Sequence, residues 1–545
     1  MKPRFIACLF IIAVVIPAAF STWGLTESSE ARYAEISREM YISGDFVQPK
    51  LLGIHHYHKP PVVYYITSIG YSIFGVNEYG ARFFLSLALL AQLLLVYLIT
   101  MLLYDNRNLS VAATLIYFSY PIVQIAAKNL TTDAYLTTFI FSSIYFFLKY
   151  HQQPSAIKYL YLFYIFCGLS FLTKGPVGIL PQALFAILYT RIFKIKREIS
   201  VHTFAALITG IAICISWFTV VLYQNKELLS YFFKHQLADR VAGDTFKRSK
   251  PFWYYFAFMP LLGLPAFFYF AHYVRANFSL AGFRRNISSV LSISLIILLS
   301  VFTASSSKLI LYVIPLFLFI SILSAKHLSE VSLKTAKIFE NISLGFSCFL
   351  FVSLIAASFM TLPVVFPKVA VIIFSLTGIV CMIFFKRVKF TPEYLKAPFI
   401  NAISMAVLTF LFPFIMKVND LEINSIRPMA AFIKDRSMNK KPGSIAVYDY
   451  LLPSLAFYTN EEIITLDNGN STTQRETQFE TNNNTWQNTY FKLGENKDTV
   501  ALTSILAKPN SYIIAQKKNP LPDSLSFLKK NLPNKILMGK WIIYF

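Results

Sequence analysis

Apolar runs long enough to cross a bilayer recur along the first three quarters of this chain. They fall at approximately residues 5–23, 82–103, 110–127, 133–148, 159–173, 175–191, 203–223, 252–273, 287–304, 309–325, 338–360, 364–385 and 397–416. A helix needs roughly 17–25 residues to span the hydrocarbon core, and 133–148 and 159–173 are the short cases. In lipid, only a helix or a closed barrel satisfies every backbone N–H and C=O. The sequence therefore predicts an all-α polytopic membrane domain over 1–416 with about 13 transmembrane helices. The first run follows Lys2 and Arg4, and a charged motif begins immediately after it. No small-x-small cleavage site marks that boundary, so the run reads as an uncleaved span.

The formal net charge of +23 would suit a nucleic-acid binder, but the basic residues lie scattered between apolar runs. With the N-terminus inside, the inner loops carry Arg107; Lys149 and Lys158; Arg191, Lys194, Lys196 and Arg197; Arg275, Arg284 and Arg285; Lys326, Lys334 and Lys337; and Lys386, Arg387 and Lys389. This is the positive-inside pattern, and it puts the C-terminus outside. It speaks for membrane lipids as partners and against nucleic acid. All five cysteines fall in apolar runs and no CxxC occurs, so they read as small apolar fillers.

From about 417 onward the chain changes character. "SIAVYDYLLPSLAFYTNEEIITLDN" reads strand, helix, strand; "SYIIAQ" and "KILMGKWIIYF" read as further strands. "NGNSTTQRETQFETNNNTWQNT" is polar and turn-rich and reads as an exposed loop. The expected division is a membrane domain over 1–416, with an outer loop at 24–81, and a small extracytoplasmic α/β domain over 417–545.

Polar motifs gather on the outer side. "TESSEARYAEISREM" holds Glu27, Glu30, Glu35 and Glu39. Ser28 or Ser29 can cap a helix there, and Glu30 suits its positive end. An interfacial helix with surface charges is the simpler reading. "LLGIHHYHKPP" places His55, His56 and His58 within four residues, before Lys59. His56 and His58 share a face if extended, and His55 and His58 if helical. They could begin a metal site or be hydrogen-bonded loop histidines. Asp133 sits at the mouth of a span, as a functional group or a helix cap. Lys174 and Lys308 sit at outer ends of spans, facing an anionic partner or snorkelling. The loop "KHQLADRVAGDTFKRSKPFWYY" adds His235 and Arg240. Carboxylates, imidazoles and cations on one face suit chemistry on a lipid phosphate whose tail stays in the bilayer.

The pattern "SEARYAEISREM…SGDF…P…LLG…HKPP…YY…FG…ARF" resembles the first periplasmic loop of family 39 glycosyltransferases. "LTTDAYLTTF", "FLTKGPVG", "PFWYY" and "SSSKLILYVIP" resemble later motifs of that family in the same order, over roughly 1–330. The resemblance implies a GT-C fold and a polyprenyl-phosphate sugar donor. It implies inverting transfer to a lipid A-like glycolipid or protein acceptor, and an inner membrane location with the site facing the periplasm. It needs no nucleotide cofactor. The family has Asp-Glu before the "ARYAEI" segment, where this chain has Ser29-Glu30. That leaves Glu30, Asp133 and Glu27 as candidate catalytic carboxylates, with Glu30 first. Lys59, Arg240, Lys174 and Lys308 become candidate donor-phosphate contacts. Where the aminoarabinose branch has Glu before Lys-Pro, this chain has His58; with His235 it is the implied holder of a divalent metal, Zn or Mg/Mn. The rivals are a transporter or flippase of lipid-linked sugars, a membrane scaffold and an inactive homologue. Transporters often show internal repeats and midplane charges; here the polar motifs gather at one face.

Overall fold

The structure, a computed structural model, describes residues 3–27, 29–195, 200–232, 249–277, 285–438, 441–480, 488–493, 502, 506–529 and 532–545. The chain forms two compact units. One comprises Met1–Phe20, Phe83–Thr361 and Phe366–Phe414; the other comprises Ser21–Arg82, Leu362–Val365 and Ile415–Phe545.

In the first unit helix occupies most of each expected apolar run, and the chain is a multi-span membrane protein. Among the described residues, six helices are long and apolar enough to cross a membrane: Glu78–Tyr104, Val201–Gln224, Ile287–Ala304, Leu333–Ala357, Lys368–Arg387 and Glu393–Val418. Other runs form shorter or more polar helices, including Lys158–Lys174 and Leu180–Ile192. The run at 110–127 breaks into Arg107–Phe118 and Pro121–Ala126. Pro121 lacks an N–H and forces Tyr120 into an extended conformation, which ends the preceding helix. The helix Leu316–Glu330 is buried on all sides from Leu316 to Ala325, as expected of a helix apolar all round. It packs on Arg107–Phe118, Phe267–Asn277 and Ile287–Ala304. Gln92 donates to the carbonyl of Ala134 at 2.9 Å and accepts from the Tyr117 hydroxyl at 2.7 Å. Such bonds fix helix positions where apolar packing alone does not discriminate, and this one holds the helix that begins beside Asp133.

The second unit is built on a six-stranded sheet. Its strands are β3 (Ile445–Tyr448), β4 (Ile463–Asp467), β5 (Tyr490–Lys492), β6 (Tyr512–Gln516), β7 (Lys535–Met538) and β8 (Trp541–Tyr544), after a hairpin of β1 (Lys50–Leu51) and β2 (Ile54–His55). The sheet order is β5-β4-β3-β6-β8-β7. β5, β4, β3 and β6 run parallel, while β8 pairs antiparallel with β6 and β7. β3 and β4 are buried at every position, as parallel strands covered on both faces must be. This order reverses direction between β3 and β6, and α/β sheets commonly form their ligand crevice outside the carboxyl ends of strands at that point.

The polar segment expected to be an exposed loop behaves differently. Its first part is a helix, Ser471–Thr477, capped by Asn470, with Thr473 and Glu476 buried. The capping Asn and two inward residues outweigh its polar composition, because the helix starts just beyond the carboxyl end of β4 and packs there.

Residues 21–82 fold into the same unit. The helix Ser29–Ser43 buries Ala31, Ala34, Ile36 and Met40, packing on Val62–Phe74 and on Pro453–Thr459. Thr26 forms a bridge with Ser425. Segments that pack together must lie on one side of the membrane. Ser72→Cys and Lys508→Cys, both at exposed positions, should therefore react equally with a membrane-impermeant maleimide added outside cells. Lys386→Cys, in an expected inner loop, should stay unlabelled. Labelling of only one of the first pair would contradict the shared unit.

Candidate active site

The helix Ser29–Ser43 assigns each carboxylate of the first motif a different partner. Glu30 is buried, and both its oxygens are occupied. Arg82 Nε donates to Oε1 at 2.7 Å and Nη2 to Oε2 at 2.8 Å, while Thr26 donates its backbone N–H and hydroxyl to Oε2 at 3.0 and 3.1 Å. Arg82 also donates to the carbonyls of Ser21, Trp23 and Gly24 and lies 4.4 Å from the Trp23 ring centroid. A fork paired this way is among the stronger charged contacts. It anchors the root of the loop. Glu35 takes both ends of the Arg38 guanidinium, at 2.7 and 2.8 Å. Glu39 accepts the N–H groups of Leu52 and Gly53 at 2.5 and 3.2 Å. Those two residues have φ of 55° and 77°, the left-handed pair that closes a two-residue hairpin. Glu39 thereby fixes the turn of the β1–β2 hairpin.

Glu27 is placed differently. Its Oε1 accepts the Ser454 N–H at 2.9 Å and the Ser454 hydroxyl in a short bond, at the start of the helix after β3. Its Oε2 is buried and accepts no hydrogen bond among the described residues. Burial pushes the Glu27 carboxyl up to about 7, although the Ser454 bonds and the Arg32 charge pull the other way. Ser29, where the family resemblance has Asp, begins the helix and is exposed.

The hairpin separates the three histidines. His55 is pinned: its ring sits 2.9 Å from Glu480 Oε1 and 2.7 Å from Gln48 Oε1. His56 and His58 follow β2 in a segment that turns at Tyr57, and their rings meet edge to face with centroids 4.7 Å apart. His56 Nδ1 is 2.8 Å and His58 Nε2 3.2 Å from the same oxygen, Glu476 Oε2. Oε1 of Glu476 is held by Arg32 at 3.2 Å and Arg475 at 2.9 Å. Burial pushes His56 down to about 4 and lowers His58 as well, against the pull of Glu476. Burial also works against the charge of Glu476, but His58, Arg32 and His56 more than offset it and hold the carboxyl well below its usual range. Lys59 follows on the same loop, half-buried.

In the membrane unit, Lys174 ends the helix Lys158–Lys174 and forms a short ion pair with Asp133, in the first turn of Thr132–Gln152. Thr131 donates to the other Asp133 oxygen at 3.2 Å, and Lys174 Nζ lies 3.9 Å from the Tyr312 ring centroid. Both charged groups are buried. Lys308 is buried as well and donates to the carbonyls of Ser305 and Lys250 at 2.6 and 3.0 Å. His235 and Arg240 lie outside the described residues.

Three participants are not singled out by the sequence: Arg32, Arg82 and Glu476. Arg82 belongs to the "ARF" piece that carried the resemblance. Glu476 had no local signal, since it stands 420 residues from His56 in a polar tract.

Residues 58–223 match the family described as dolichyl-phosphate-mannose-protein mannosyltransferase. That stretch runs from His58 through Asp133 and Lys174. Over 337 residues, the chain is 27% identical to undecaprenyl phosphate-alpha-4-amino-4-deoxy-L-arabinose arabinosyl transferase 1 of Pseudomonas fluorescens, covering 61% of each. Over 262 residues, it is 29% identical to transferase 2 of that name from Proteus mirabilis, covering 48% of this chain and 47% of the relative. The chain thus spans about three fifths or less of the length of these curated relatives. In three dimensions it is similar to ArnT from Cupriavidus metallidurans bound to undecaprenyl phosphate, with a TM-score of 0.76 at 18% identity, covering 100% of this chain and 98% of that one. The apo form of that protein gives 0.73.

The fold is GT-C. The GT-C assignment agrees with the resemblance to family 39 glycosyltransferases in the motif order of the first 330 residues. It also accounts for the C-terminal sheet, which sequence motifs did not reach, because the likeness covers the whole chain.

Proposed function

We propose that this protein is a membrane glycosyltransferase that moves a sugar from a polyprenyl-phosphate donor to a hydroxyl of a lipid A-like glycolipid on the periplasmic face of the inner membrane. The observation that carries the reading is the whole-chain likeness to a structure that holds undecaprenyl phosphate. The sequence likeness to aminoarabinose transferases favours that sugar class and a lipid over a protein acceptor.

The acceptor hydroxyl attacks the anomeric carbon from the face opposite the phosphate, the C–O bond to phosphate breaks, and configuration inverts. A carboxylate takes the hydroxyl proton as the new bond forms. Of the three carboxylates expected from sequence, Glu30, Asp133 and Glu27, we favour Glu27 for this step. Glu30 has both oxygens committed to Arg82 and Thr26, and Asp133 is neutralised by Lys174. Glu27 keeps Oε2 uncommitted and titrates near neutrality, the range in which a general base works best. Lys59, in the same unit as Glu27, is proposed to balance the charge of the departing phosphate, as fixed cations do for developing negative charge. The ion pair with Asp133 holds the Lys174 side chain in place.

The test is direct. Purified protein is mixed with undecaprenyl-phosphate aminoarabinose and lipid A, and both lipids are read by mass spectrometry. Expected is acceptor heavier by one sugar residue, with equimolar undecaprenyl phosphate released. Intact donor carried across a vesicle bilayer without transfer would establish the flippase reading instead.

A further inference from the structure

We propose that His56, His58 and Glu476 form a transition-metal site, with Zn²⁺ the ion their chemistry selects. The inference rests on donor geometry and stands whether or not the chain transfers sugar. The resemblance pointed to His58 and His235 as metal holders. His235 lies outside the described residues; among those residues the structure brings to His58 a second imidazole, His56, from the segment just after the hairpin, and the carboxylate of Glu476 from the helix Ser471–Thr477 after β4.

Three features make this a built site. The donor atoms of the three residues all lie within 4.8 Å of one another. The two imidazole nitrogens converge on one carboxylate oxygen, at 2.8 and 3.2 Å, although their residues come from distant parts of the chain. The other carboxylate oxygen is oriented by Arg32 and Arg475, and such outer contacts aim a ligating carboxylate. Two imidazoles and a carboxylate suit Zn²⁺, whereas Mg²⁺ prefers oxygen donors and retained waters. Three protein ligands leave a fourth position for water or an anionic oxygen, where Zn²⁺ would act as a Lewis acid. His55 is excluded from the set because Glu480 and Gln48 hold it.

The alternative is a hydrogen-bonded network in which one imidazole N–H donates to Glu476 and no ion binds. The full chain in detergent, stripped with EDTA and re-equilibrated with Zn²⁺ or Co²⁺, separates the two. Expected is one Zn²⁺ retained per chain by elemental analysis, and intense visible Co²⁺ bands of a four-coordinate site. Glu476→Gln, His56→Ala and His58→Ala should each weaken binding by more than about 10–100-fold, the loss typical of removing a group one shell further out. His55→Ala should bind as the parent does. Glu476→Asp, which keeps the charge that faces the arginines while withdrawing the carboxylate, covers the case in which Glu476→Gln does not fold. It should fold and bind Co²⁺ more weakly. No ion retained by the parent chain, or equal affinity in the triad variants, overturns the site.

Discussion

Glu27→Gln is expected to lower turnover by about 10²–10⁴-fold, the range for losing a positioned general base, with donor binding intact. The parent enzyme should show turnover that rises with pH to a plateau above about 7, because only the ionised carboxylate accepts a proton and burial has moved that ionisation up from 4.5 to about 7. A carboxylate at its ordinary value would leave the profile flat across that window. Ser454→Ala removes a hydrogen bond that favours the charged form, so its acidic limb should move to higher pH while the plateau survives. The same shift has a stability counterpart. A carboxyl raised in the folded state favours folding fully below its unfolded value of 4.5, and that contribution is lost as pH rises through about 7. The measurement is initial rate against pH for the parent, Glu27→Gln and Ser454→Ala. A Glu27→Gln enzyme with near-parental turnover removes Glu27 from the chemistry.

Arg82→Ala is expected to destabilise the protein by about 3–5 kcal/mol, the usual cost of leaving one partner of a buried ion pair uncompensated. Glu30 would lose both guanidinium bonds while remaining buried, and three backbone carbonyls would lose their donor. Glu30→Gln should fall in the same direction, since it leaves Arg82 buried beside a neutral amide. Thermal unfolding in detergent, followed by the fraction remaining monodisperse after heating, reads both. The distinguishing result lies with Glu30→Gln. A large fall in stability marks an anchor, whereas unchanged stability with abolished turnover would return Glu30 to the catalytic step.

The amino-acid sequence alone determined the membrane domain. Apolar runs of bilayer length leave helices as the economical way to satisfy the backbone, and helix covers most of each run, although 110–127, 252–273 and 309–325 are broken and six helices among the described residues are long and apolar enough to span. It also determined β3, β4 and β6, because "SIAVY", "EIITLD" and "SYIIAQ" are short, β-branched and bounded by turn residues. The His56/His58 pair was legible as the start of a metal site from its composition, but a turn at Tyr57, not strand alternation, brings the two rings together. What the sequence could not rank was its own carboxylates. Glu27, Glu30, Glu35 and Glu39 are chemically equivalent in a string, and their roles depend on which cation or N–H group the fold brings to each. Arg82 reaches Glu30 from 52 positions away, and Ser454 reaches Glu27 from 427. Glu476 was hidden further, in a tract whose composition reads as loop. Only the tertiary structure decides such pairings. A buried charge must find a partner, and that partner is chosen by where the sheet's carboxyl edge and the hairpin meet, not by neighbours along the chain.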